Sequence, residues 1–169
     1  MRSPLILLVM GAALFAPLAA SAQPAAPAPA AVPAPPPAYG PAVTLDQAKR
    51  IVAAAEAEAR KHGYAMAFAV VEPSGDLVFF EKMDNTQYGS IAIAQGKAKT
   101  AALFKRPSKA FGDALTSGRT AILSFDGVIA VEGGIPIVVD GRIIGAIGAS
   151  GGSSEQDGAM AAAGLAALR

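Results

Sequence analysis

The chain has 169 residues, enough for one ordinary domain, and its fourteen basic and thirteen acidic residues nearly cancel, so global charge gives no footprint for a nucleic-acid partner. It has no cysteine, which excludes thiolate metal sites, C-x-x-C redox chemistry and a cysteine nucleophile, and which suits an oxidising compartment without supplying disulfides. A single histidine and no tryptophan narrow the possible chemistries further.

The first residues read as a secretory leader over 1–22. Arg2 supplies a small basic start, Leu5 through Leu18 the apolar stretch, and Ala20-Ser21-Ala22 a small-residue cleavage site. An uncleaved anchor is the competing reading, but the stretch is short for a bilayer and contains Pro17. Cleavage makes Gln23 the first mature residue and removes Arg2, which brings the basic and acidic counts level. A periplasmic or secreted location follows, and no later segment is apolar enough to span a membrane.

Residues 23–42 are almost wholly proline and alanine, a composition that favours extended polyproline II and cannot bury a core. They read as a disordered tether, either giving reach from a surface or partner or serving only as a flexible lead-in. The domain proper occupies 43–169. Thr44 and Gln47 form a capping pair, and Leu45, Ala48, Ile51, Val52, Ala55 and Ala59 repeat at helical spacing, predicting a helix to about His62 that Gly63 stops. Residues 65–72 and 77–83 read as two strands joined by the Pro73–Asp76 turn, a hairpin. After a polar loop over 84–89, Ser90 is expected to cap a long alanine-rich helix to about Phe104, and Pro107-Ser108 to start a short helix to about Ser117. Strands are predicted near 127–131, 135–139 and 142–149, the last two joined by Asp140-Gly141, followed by a helix from about Glu155 to Leu168. This αββααβββα order predicts an α+β fold, a five-stranded antiparallel sheet flanked by helices, and not a Rossmann alternation.

Three stretches are more specific than the rest: 69–77 (AVVEPSGDL), 97–108 (KAKTAALFKRPS), and 133–137 (GGIPI) with 145–152 (GAIGASGG). In order and spacing they resemble the GlcG/HbpS family of haem-associated proteins, over essentially all of 43–169. The resemblance implies a profilin-like α/β/α domain, assembly into a homo-oligomer, and binding of haem or a related tetrapyrrole, with haem degradation described for some members.

The densest charge feature is Lys97, Lys99, Lys105, Arg106 and Lys109, interleaved with Leu103, Phe104 and Phe111. Cations beside apolar rings suit a ligand with an apolar body and an anionic edge, and haem with its two propionates fits that description. A solvated basic face with the rings in the core is the other reading. The expected ligand-binding set is Tyr88, Lys97, Thr100, Phe104, Lys105 and Arg106. His62, the only imidazole, is the candidate for haem iron, although at a helix end it can instead serve the terminal carbonyls. Gly145, Gly148, Gly151 and Gly152 could cradle an anion between strand and helix, but Glu155 and Asp157 would repel it, and close backbone packing explains them better. No P-loop occurs, and no catalytic pair stands out. Three readings remain: an exported haem-binding protein, a haem-degrading enzyme using bound iron, and a structural or sensory oligomeric module.

Overall fold

The structure, a computed structural model, describes residues 34–168; the expected leader and most of the tether lie outside them. No helix among the described residues is long and apolar enough to cross a membrane. The first helix, α1 (Leu45–Lys61), starts on the expected capping box, in which the Thr44 hydroxyl accepts from the Gln47 N–H and the Gln47 side-chain oxygen accepts from the Thr44 N–H at 2.9 Å. It stops where Gly63 takes φ +71°, a conformation glycine adopts without a Cβ penalty. The hairpin follows as β2 (Ala67–Val71) and β3 (Leu77–Lys82), paired antiparallel.

Side chains alternate across a strand, and β2 uses both faces. Ala67, Ala69 and Val71 pack against Ala94, Ala98, Ala101 and Ala102 of α2 (Gly89–Phe104), whereas Phe68 and Val70 join Ile51, Val52 and Ala55 of α1 and Met160 of α4 (Ser154–Leu165). The sheet is therefore the middle layer, with α2 on one face and α1 and α4 on the other. Its central strand is β5 (Arg142–Ser150). One edge of β5 carries β4 (Gly134–Val139), joined through Asp140 and Gly141 at φ +49° and +71°, the two-residue turn expected there. The other edge carries β2 along residues 146–150.

The expected five strands are present, with one exchanged. Residues 127–131 form no strand. They cross α2 instead, the Ile129 N–H donating to the Thr100 hydroxyl at 2.9 Å and the Ile129 side chain lying on Gly96, so that amide is committed to a side chain and not to a ladder. The fifth strand is β1 (Ala38–Tyr39), which pairs parallel with Arg142 and Ile143 on the length of β5 that β2 leaves free. The end of the Pro/Ala segment is thus part of the sheet, where a disordered tether was expected to run to residue 42. Ser90 is not a cap: α2 begins at Gly89 without a side-chain bond, and the buried Ser90 hydroxyl meets Gln87 and Ser150. The final helix does start on a capping box, Ser153 with Gln156.

Where α1 meets β3, burial first and the Glu56 carboxylate second raise the pKa of Glu81. The folded chain therefore holds that proton more tightly than the unfolded chain does, so ionised Glu81 destabilises the fold at neutral pH and the penalty disappears as pH falls through the carboxylate range. Glu81→Gln is expected to raise the melting temperature at pH 7 and to lose that advantage over the parent at pH 4. An equal gain at both values would remove the argument.

Candidate functional site

The basic segment sits where α2 ends. Lys105 caps the helix in the left-handed region (φ 54°, ψ 34°), an unusual conformation for a non-glycine residue, and Pro107 and Ser108 then lead into α3 (Lys109–Thr116). Ser108 fixes the corner: its hydroxyl donates to the Val131 carbonyl at 2.5 Å and accepts from the Gly134 N–H at 2.9 Å. On this corner three phenylalanines meet. Phe104 and Phe111 are edge to face at 5.1 Å, and Phe104 and Phe125 lie nearly parallel at 5.9 Å. Both geometries suit the ring quadrupoles.

Beside them is a cavity of about 240 Å³, lined by Arg106, Ala110, Phe111, Arg119, Ile122 and Phe125. The Arg106 Nε donates to the Phe104 carbonyl at 3.1 Å, and its guanidinium lies 5.8 Å from the Phe111 ring centre. Two guanidinium groups thus border an aromatic wall, which can hold a flat apolar body with a carboxylate edge but supplies no nucleophile or base. A larger cavity of about 400 Å³ lies between α3 and the start of α4, but Asp113, Glu132 and Glu155 against the single Lys109 make it a poor place for an anion.

The residues expected from the sequence do not all converge. Phe104, Lys105 and Arg106 are together at the corner. Lys97 is not available to a ligand: it is 1% exposed, its ammonium donating to the Asp157 carboxylate at 2.6 Å and to the Ala149 carbonyl at 3.2 Å. Asp157 also accepts from the Gly152 N–H, and burial raises its pKa against the pull of Lys97. Thr100 is equally buried and spends its hydroxyl on Ile129. Tyr88 is exposed at the other end of α2, about 24 Å from Phe104 along a sixteen-residue helix.

His62 is also remote. The chain enters α1 six residues after Tyr39, beside the start of β5, and His62 follows the last turn of α1, just before β2 starts at the end of β5. There it approaches Glu58 at 3.2 Å and stacks on Tyr64 at 5.5 Å, and with Lys61 it lowers the Glu58 pKa. Among the described residues no group of three or more His, Cys, Asp or Glu is placed to hold a metal. Sequence reasoning missed Tyr39, Arg119, Ile122 and Phe125. The first was hidden in the Pro/Ala composition, and the others lie in a stretch with no periodic signal.

A family model described as "Haem degrading protein HbpS-like" matches residues 43–166, which span α1 to α4 and leave out β1. The chain belongs to that HbpS-like family. It is 40% identical to Protein GlcG of Escherichia coli K12 over 108 residues, 64% of this chain and 81% of GlcG. Among solved structures it is similar to a double mutant of HbpS from Streptomyces reticuli, with a TM-score of 0.72 and 29% identity over 85% of this chain and 99% of that one. It is similar also to a PduOC:heme complex, with a TM-score of 0.68 and 27% identity over 75% of this chain and 94% of that one.

Proposed function

We propose that this protein is an exported haem or related tetrapyrrole binding protein whose site is the corner between α2 and α3. The observation that carries the reading is the Phe104–Phe111–Phe125 cluster bordered by Arg106 and Arg119, with Lys105 next to it. The rings match the macrocycle and the guanidinium groups match its propionates, while the family description and the haem-bound neighbour point to the same ligand class. The cavity is below the 300–1,000 Å³ typical of closed small-molecule sites, so the macrocycle would lie partly outside it. This corner offers no imidazole, and the proposal assigns its residues to the ring and the carboxylates, not to the iron.

Replacing Lys105 and Arg106 together by Gln is expected to weaken haem binding by about 1–3 kcal/mol through lost charge-assisted bonds, with a smaller loss at high salt and an unchanged melting temperature. His62→Ala is expected to leave the Soret band in place. A double Gln variant with parental affinity at low salt would move the site elsewhere.

Degradation is the second reading, favoured by the family description. Bound haem would supply iron-centred oxidation, while the residues at this corner hold and orient the macrocycle. Loss of the Soret band under reductant and oxygen, with release of a tetrapyrrole product, distinguishes it from storage or transport. Export is tested by the mass of the protein recovered outside the cytoplasm, expected to begin at Gln23. Self-association is expected from the exposed Leu123, Phe125, Val131 and Val138, and light scattering at micromolar concentrations checks it.

A further inference from the structure

The end of the Pro/Ala segment touches this corner directly. The Tyr39 hydroxyl lies 2.9 Å from the Ala102 carbonyl and 3.1 Å from the Leu103 carbonyl and shares its one proton between them, in the last turn of α2, where the Ala102 carbonyl otherwise accepts only from the Lys105 N–H at 3.4 Å. The Lys105 ammonium sits 4.0 Å from the centre of the Tyr39 ring, within cation–π range. Lys105 holds its left-handed φ of 54° in this arrangement and does not line the cavity, whereas its neighbour Arg106 does. To pair a carboxylate in the cavity, Lys105 must leave the ring.

The docked arm itself is lightly held. It consists of a two-residue strand, a Gly40 N–H bond to the Ile143 carbonyl at 2.8 Å, and a tyrosine still 38% exposed. Elements with so few buried contacts open at low free energy. The firm anchor comes later, at the buried Val43, whose N–H donates to the Ile144 carbonyl at 2.7 Å.

We propose that Ala38–Tyr39 is a latch on the ligand site: Tyr39 and an anionic ligand compete for Lys105, so that ligand binding loosens the arm and arm docking weakens the ligand. This rests on the reading of the α2–α3 corner as the site. Thermodynamic reciprocity makes the two effects equal in size. Release of residues 34–40 would free a length of about 25 Å at full extension, turning occupancy of the site into reach.

The test uses the full mature chain with haem as the probe. Amide exchange at Gly40 reads the arm, and exchange at Val43 is the internal control. Saturating haem is expected to speed Gly40 exchange about 5- to 20-fold with Val43 unaffected, and Tyr39→Ala to tighten haem binding by the same factor. Tyr39→Phe keeps the ring and removes the hydroxyl, so it should tighten binding less, and it serves if the Ala variant is poorly folded. Lys105→Gln should speed Gly40 exchange without ligand and abolish the further response to haem. If Arg106→Gln weakens haem binding but Gly40 exchange ignores haem and both Tyr39 variants bind as the parent, the latch is wrong and the site reading stands. If haem binding is absent or indifferent to Arg106→Gln, the site reading fails and the latch fails with it.

Discussion

Replacing Lys97 by Met is expected to lower stability by about 3–5 kcal/mol, because it leaves the Asp157 carboxylate buried without its cation. Both side chains are almost fully enclosed, and the ammonium ties α2 to α4 at 2.6 Å and to the end of β5 at 3.2 Å. A pair this deep loses much of its Coulomb attraction to desolvation, so the pair itself adds little, while half of it is costly. Lys97→Met with Asp157→Leu should therefore recover most of the loss, and the two single variants should be far from additive with the double one.

The pH dependence carries a sign. Burial already raises the Asp157 pKa, so the folded state binds that proton more tightly than the unfolded state, and stability from this group grows as pH falls through its folded pKa. Without Lys97 the opposing attraction is gone and the pKa rises further. The Lys97→Met variant should thus regain part of its stability on mild acidification, over a range where the parent does not. Denaturant titrations of the four proteins at two pH values measure all of this, and a Lys97→Met variant as stable as the parent would show that the pair does not hold the layers together.

This same lysine shows how far the sequence could be read. It stands in a run of five cations, and charge spacing alone cannot tell a buried partner on α4, sixty residues away, from an open face. Local signals did carry most of the fold: the Thr44–Gln47 capping pair, the Asp140-Gly141 turn and the hairpin around Pro73–Asp76 are short-range chemistry, and each appears where expected. The strand at 127–131 failed because its apolar run is real but is used to pack across α2, with Thr100 taking the Ile129 amide. Ala38–Tyr39 was missed for the opposite reason. Two residues in a proline-rich segment have no periodicity, and the free length of β5 that recruits them exists only once β2 is in register. At the candidate site, adjacency along the chain brought out Phe104, Lys105 and Arg106, whereas Arg119 and Phe125 reach the corner only because Gly118 turns the chain back at φ +87°.

Gly148→Ala is expected to lower stability by about 3 kcal/mol, at the upper end of what overpacking does, and to disturb ligand binding through α2. A Cβ at Gly148 would stand 2.0 Å from the Ala94 carbonyl oxygen and 2.6 Å from the Ala98 nitrogen. Both are backbone atoms of α2, so no side chain can swing aside, and the helix has to rise from the sheet. Gly148 pairs with Ala69 on one side and Gly134 on the other, which prevents β5 from retreating locally. Raising α2 stretches the Lys97–Asp157 contact and shifts Phe104, Lys105 and Arg106, which hang from the end of that helix. Gly63→Ala is the contrast: no heavy atom lies within 4 Å of its added Cβ, so only the left-handed φ of +71° is strained, at about 1 kcal/mol. Thermal melting should separate the two by roughly 5 °C or more. Were Gly148→Ala to melt with the parent and bind haem equally well, the close seating of α2 on β5 would not be what positions the corner.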